Sequence, residues 1–298
     1  MFGDEAETSG TTGGDTTTMD YAAQGTTQKP ATAARIYDYI LGGIHNFPAD
    51  QEAARKLIAQ FPFVPAASRA NRAFLRRALR HLVGAGVRQF LDIGSGIPTA
   101  GNVHEIAQEL APDARVVYVD IDPVAVAESL EILEGNERAT AIRANLCSPQ
   151  VILGHPDVRR LLDLKQPVGL LLVAVLHFVP DPTQAYEVVS QLVAALAPGS
   201  YLVVSHAAAE AYLPSTDQLT VAPSTEQLKV ADEIYTRRTA TPGMLRTRSD
   251  TARFFVDVEL VDPGVVWLQE WRPDPDESAE LADDPRRSGS WAGVGRKK

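Results

Sequence analysis

Apolar positions between residues 30 and 86 recur every three or four residues, which predicts helices. The first spans 32–41 and stops at Gly42-Gly43, a second follows Pro48-Ala49-Asp50, and a third covers about 66–83. In the third, Phe74, Leu75, Ala78, Leu79 and Leu82 form one stripe, while Arg69, Arg72, Arg76, Arg77 and Arg80 occupy the other faces. From residue 89 the period changes. Short apolar runs at 89–93, 115–119, 139–143, 168–173 and 201–205 alternate with helical stretches at about 101–111, 123–134, 155–164 and 182–197. Such alternation predicts an α/β fold with a doubly wound, mostly parallel sheet and right-handed crossovers. Near-continuous apolar strands such as 169–175, GLLLVAV, fit a sheet covered on both faces. Further helices are expected at 224–238 and 249–255. Two last strands, 257–261 and 265–271, are joined by Asp262-Pro263-Gly264 as a hairpin.

The ends read differently. Residues 1–29 are rich in Gly and Thr, and the segment from 272 to 298 is polar apart from Trp291. Both are expected to be disordered tails, with Trp291 exposed. The chain has 298 residues, enough for one large domain, and a formal charge of −10, which argues against a nucleic-acid or anionic-membrane surface spread over the molecule. The arginines of the third helix leave a local basic patch open, against the plainer reading of a solvated helix face. Cys147 is the single cysteine, so no intramolecular disulfide forms, and a reducing, cytoplasmic location is expected. No secretory signal is visible, and the longest apolar run, 168–179, falls short of the roughly 20 residues of a membrane helix.

The chemistry starts where the first strand runs into Leu91-Asp92-Ile93-Gly94-Ser95-Gly96-Ile97-Pro98-Thr99, a glycine-rich turn feeding a helix. A dinucleotide loop reads G-x-G-x-x-G and faces a pyrophosphate. Here Thr99 replaces the third glycine, and the Asp92 carboxylate would repel a phosphate. S-adenosylmethionine removes both objections, since it has no phosphate and carries a sulfonium and an ammonium that an acidic loop favours. The second strand ends Val119-Asp120-Ile121-Asp122-Pro123. Asp120 is placed to accept both ribose hydroxyls, Ile121 to lie against adenine, and Asp122 to cap the next helix.

These segments, with Ala144-Asn145-Leu146 and the run Leu170 to Asp181, LLLVAVLHFVPD, resemble the ordered motifs of class I S-adenosylmethionine-dependent methyltransferases. More narrowly, ARIYDYILGGIHNF, NRAFLRR, QFLDIGSGIPTAGNVHE and LHFVPD resemble an actinobacterial S-adenosyl methyltransferase family of unassigned substrate, over about residues 31–271. The resemblance implies a Rossmann-like, seven-stranded sheet closed by an antiparallel hairpin. Gly94, Ser95 and Gly96 would border the methionine part of the cofactor, and Asn145 and Leu146 the adenine amino edge. Asn145 stands where many relatives have Asp, which removes a charge but keeps an acceptor oxygen. Pro98 is a second departure from the general pattern.

The implied layout is a helical lid or cap at 30–86, a cofactor core at 87–206, substrate-facing helices at 207–255 and a closing hairpin at 256–271. In the lid, Arg35 could pair with the cofactor carboxylate and Tyr37 face the methyl group; alternatively this is an amphipathic helix packing Ile36, Tyr39 and Ile40 inward. His177, past the fourth strand, could take a proton from the acceptor or simply form part of the wall. No metal-ligand spacing is visible, so a metal-free site is expected. The expected function is methyl transfer to oxygen or nitrogen, with carbon a further option, of a small molecule. A non-catalytic cofactor-binding sensor or scaffold and a nicotinamide-dependent oxidoreductase remain alternatives. The oligomeric state is left open.

Overall fold

The computed structural model describes residues 30–98, 101–212, 243–274, 281 and 283–298. Five parallel strands form its centre: β1 (Gln89–Ile93), β2 (Arg115–Asp120), β3 (Ala139–Arg143), β4 (Gly169–Val173) and β5 (Tyr201–Ala207). Three more follow, β6 (Glu259–Leu260), β7 (Val266–Trp267) and β8 (Ser290–Arg296), in the order β3-β2-β1-β4-β5-β8-β6 with β7 beside β8. The order reverses between β1 and β4, so a crevice opens above their carboxyl ends, where open α/β sheets bind ligands.

Both faces are covered. On one lie α6 (Pro149–Gly154), α7 (Pro156–Leu161) and α8 (Pro182–Ala194), which bury Leu91, Val117, Leu170, Leu172, Val204 and their neighbours. On the other, α3 (Val64–Gly84) and α4 (Val103–Leu110) cover Phe90, Val116, Leu171 and Val203. This two-sided burial is why the strands are apolar throughout. The cap, α1 (Ala33–Ile40) and α2 (Pro48–Gln60), has its own small core of Ile36, Ile40, Ala53, Leu57 and Phe61. Helix α5 (Pro123–Ile132) follows β2, and α9 (Arg248–Ala252) precedes a 3-10 turn at Arg253–Phe255.

Three expectations are corrected. The C-terminal segment is not a disordered tail: Ser290–Arg296 pairs antiparallel with β5 along its whole length, and Trp291 is buried, stacked on Trp267 at 3.6 Å. The closing pair is not a hairpin, because β6 and β7 each pair with β8, which makes eight strands rather than seven. The helix expected at 155–164 is shorter, α7 at Pro156–Leu161, and a further short helix that was not expected, α6, precedes it and ends before His155-Pro156. The N-terminal segment 1–29 and the helix expected at 224–238 lie outside the described residues. Within the arginine-rich helix, Arg77 is buried and donates to the Trp271 and Leu268 carbonyls at 2.9 and 2.6 Å, and Arg80 pairs with Asp274. These two tie α3 to the C-terminal segment rather than forming a basic surface.

Candidate functional site

At the tip of β1 the chain turns sharply. Gly94 takes φ +74°, and a Cβ there would lie 2.1 Å from the Val175 side chain, so only glycine fits. The Gly94 and Ser95 N–H groups donate to the Val119 carbonyl at 2.7 and 3.2 Å, pinning the turn to β2. Ser95 is half-buried, with its hydroxyl on the Gly96 carbonyl. Asp92 is 6% exposed, and burial pushes its carboxyl up to about 7; the Arg72 guanidinium opposes this, and the nearby Asp120 carboxyl adds to it.

Asp120 ends β2 directly across from this turn. Its Oδ2 accepts the Gly96 N–H at 2.8 Å and its Oδ1 the Asp122 N–H at 2.9 Å. Burial raises its pKa, opposed by these two donors. A carboxylate has about four lone-pair sites, so two remain for ligand hydroxyls. Asp122 caps α5 through Val124 N–H at 2.9 Å, as the Asp-Pro sequence predicts. Ile121 is 51% exposed beside Asp120, an apolar surface next to a carboxylate. Past β3, Asn145 is exposed, with Oδ1 accepting the Cys147 N–H at 2.9 Å. The Leu146 side chain packs into the core, so any ligand contact there falls to its backbone.

The cap covers this crevice. Ala34 of α1 lies 3.8 Å from where a Gly96 Cβ would stand, and Thr32 Oγ1 donates to Asp122 Oδ2 at 2.6 Å. Arg35, expected at a cofactor carboxylate, instead donates from Nε to Asp50 at 3.0 Å, from Nη1 to Asp122 at 3.4 Å, and from Nη2 to the Pro30 carbonyl. It is 3% exposed and joins α1, α2 and the β2 tip. The Tyr37 hydroxyl is also committed: it donates to the Ser68 carbonyl and accepts from Asn71 Nδ2, both at 3.1 Å, and burial raises its pKa. A neutral phenol with its proton spent cannot act as a base, so Tyr37 serves as a packed, anchored ring.

The β4 tip supplies the opposite wall. Ala174 adopts φ +56°, a left-handed conformation costly for a residue with a Cβ. His177 sits on the one-turn 3-10 helix Leu176–Phe178, and its Nδ1 has no partner among the described residues. Burial, with the Arg246 charge, lowers its pKa to about 4, so the ring is neutral near pH 7. It packs 5.7 Å from His206, whose pKa is lowered to about 3 by burial and then by His177. Arg246 holds this turn: Nη1 donates to the Leu176 carbonyl at 3.1 Å and to His206 Nε2 at 2.7 Å, and Nη2 to the Val179 carbonyl at 3.0 Å.

Gly94, Ser95, Gly96, Asp92, Asp120 and Ile121 therefore gather at one crevice, while Arg35 and the Leu146 side chain turn to structural tasks. The sequence assigns no role at the crevice to Arg72, Asn71 or Arg246, although Asn71 and Arg72 open the NRAFLRR segment. Arg72 and Asn71 looked like part of a polar helix face, and Arg246 stands in a segment with no motif of its own. Among the described residues no metal-ligating cluster is found, and no helix is long and apolar enough to cross a membrane.

Strand order, a glycine turn facing a carboxylate at the next strand tip, and a helical cap define a Rossmann-like methyltransferase fold. The crevice fits the cofactor of that class, since two buried carboxyls favour a sulfonium and an ammonium over a diphosphate. The chain belongs to the S-adenosyl methyltransferase family, whose model matches residues 20–298. It is 39% identical to a DUF574 family protein of Streptomyces avermitilis, with a TM-score of 0.80 and coverage of 90% of this chain and 98% of that one. A protein of Thermobifida fusca, provisionally described as a methyltransferase, is also 39% identical, with a TM-score of 0.78 and coverage of 90% and 96%. No curated protein matches the chain.

Proposed function

We propose that this protein transfers a methyl group from S-adenosylmethionine to an oxygen or nitrogen of a small molecule by in-line displacement. The Asp120 carboxylate, held opposite the Gly94–Gly96 turn by the Gly96 N–H, is the observation that carries this reading. Asp120 would accept the ribose hydroxyls, Ile121 and the chain around Asn145 would flank the adenine, and Gly94 to Gly96 with Asp92 would border the methionine part. When bound, the cofactor supplies a methyl group on a sulfonium that is already a strong electrophile. The protein's share of the work is then alignment and exclusion of water, with the cap over the turn.

His177 is the candidate for direct contact with the acceptor. Its ring is neutral, and its Nδ1, buried and without a partner among the described residues, would accept a hydrogen bond from an O–H or N–H once the bound acceptor uncovers it. A basicity near 4 makes it a weak proton acceptor, so it orients a nucleophile rather than creating one. This favours acceptors that are already nucleophilic, an amine or an acidic hydroxyl. The expected setting is the cytoplasm.

Incubation with methyl-deuterated S-adenosylmethionine and a small-molecule cell extract tests the reading by mass spectrometry. A labelled product supports it and identifies the acceptor. Cofactor binding with no labelled product from any extract favours the sensor or scaffold alternative.

A further inference from the structure

Four hydrogen bonds run in one direction from the β4 tip to the cap. Ala174 N–H donates to Ser205 Oγ at 2.9 Å, and the Ser205 hydroxyl donates to Asn71 Oδ1 at 2.6 Å. Asn71 Nδ2 donates to the Tyr37 oxygen at 3.1 Å, and the Tyr37 hydroxyl donates to the Ser68 carbonyl at 3.1 Å. Ser205 and Asn71 are 0% and 6% exposed, so water does not compete for these bonds. Each hydroxyl accepts one bond and donates the next, and such chains polarise in concert.

The two ends matter because of what they carry. Tyr37 belongs to α1, whose Ala34 lies over Gly96 at the cofactor turn. Ala174 is the left-handed residue that precedes Val175, which packs on Gly94, and the turn that bears His177. The chain thus spans from the cover of the cofactor crevice to the wall placed for the acceptor. It also gives a bonding partner to the strained Ala174 amide, which donates a second bond to the Ser205 carbonyl at 3.1 Å.

We propose that Asn71 is a positioning residue, and that the Ala174–Ser205–Asn71–Tyr37 chain holds the acceptor-side tip of β4 in register with the cap over the cofactor. What the two walls hold rests on the methyltransferase reading; the mechanical coupling between them does not. Seating α1 completes the chain and fixes the Ala174 backbone. Releasing Tyr37 leaves the Asn71 amide without its acceptor, and the loss passes through Ser205 to Ala174.

The test is amide hydrogen exchange at Ala174 in the Tyr37→Phe variant, with a central amide, Leu91 of β1, as internal reference. Tyr37 has no hydrogen bond to Ala174 or Ser205, so a local role for its hydroxyl would leave the Ala174 amide unchanged. The chain predicts exchange at Ala174 faster by about tenfold while Leu91 keeps its wild-type rate. Unchanged exchange at Ala174, or equal acceleration at both amides, overturns the proposal. A second readout is the affinity for S-adenosylhomocysteine in Tyr37→Phe, Ser205→Ala and the double variant. Coupled residues give a double variant about fivefold or more tighter than the product of the single losses, whereas additive losses contradict the coupling. If the wild type binds no S-adenosylhomocysteine, the methyltransferase reading fails, and the exchange experiment still decides on the chain.

Discussion

Asp120 Oδ2 and the Gly96 N–H are 2.8 Å apart, a bond that joins the second strand's tip to the glycine turn after the first. Gly96 takes φ +62°, and among the described residues Ala34 of the cap lies over it, 3.8 Å from where a Cβ would stand. The bond fixes the carboxylate's direction before any ligand arrives, and such preorganisation reduces the cost of binding.

Asp120→Ala should weaken S-adenosylhomocysteine binding by at least about tenfold, since a hydrogen bond to a charged group contributes roughly 1.5–3 kcal/mol. Calorimetry measures the affinity, and circular dichroism should show an unchanged fold. Unaltered affinity would place the ribose elsewhere.

Asp92 makes binding depend on pH. With its pKa pushed up to about 7, the ligand-free protein holds a proton there below neutrality. A cationic ligand favours the ionised carboxylate, so affinity for S-adenosylmethionine should rise with pH through 7 and binding should release a proton. Titration in buffers of different ionisation enthalpy counts that proton, and Asp92→Asn should abolish its release. For stability the sign is opposite. The folded state binds more protons than the unfolded chain between 3.8 and about 7, so this group's contribution falls as pH rises through that window.

His206 acts at acid pH in the other sense. Its folded pKa of about 3 lies below the unfolded value of 6.5, so the unfolded chain takes up the proton first. Its contribution is complete above 6.5 and is lost as pH falls toward 3. The difference in urea midpoint between wild type and His206→Asn should shrink on acidification across this range. A difference independent of pH would contradict the buried neutral ring.

Arg35→Gln separates a structural from a ligand-binding role. Removing a buried cation leaves the buried Asp50 and Asp122 carboxylates without it, and breaking such a pair costs about 3–5 kcal/mol. Urea unfolding should show that loss without any ligand present. A variant of wild-type stability with weakened cofactor binding would restore Arg35 to the cofactor carboxylate.

The parallel core was legible because burial on both faces writes itself as short apolar runs, and Asp120 and Asp122 because each stands at a strand tip or helix cap. Strand β8 was not legible. Its sequence SWAGVGR carries glycines on one face, where Phe255 and Val258 pack so closely that a Cβ at Gly295 would lie 2.3 Å from Val258. A strand whose apolar face is supplied by its neighbour looks like a flexible tail in isolation. The structural roles of Arg35, which the sequence points at the cofactor carboxylate, and of Arg77 were not legible for a related reason: both are buried cations whose partners, Asp50 and Asp122 or the Leu268 and Trp271 carbonyls, are set by the tertiary fold. Helical period alone assigns a residue such as Arg77 to the solvent.

Calorimetric titration of the purified protein with S-adenosylhomocysteine, with NAD as control, tests the central claim most directly. Two buried carboxyls at the strand tips predict micromolar or tighter binding of the first, about −8 kcal/mol or better, and none of the second. Binding of NAD alone, or of neither ligand, would contradict the account.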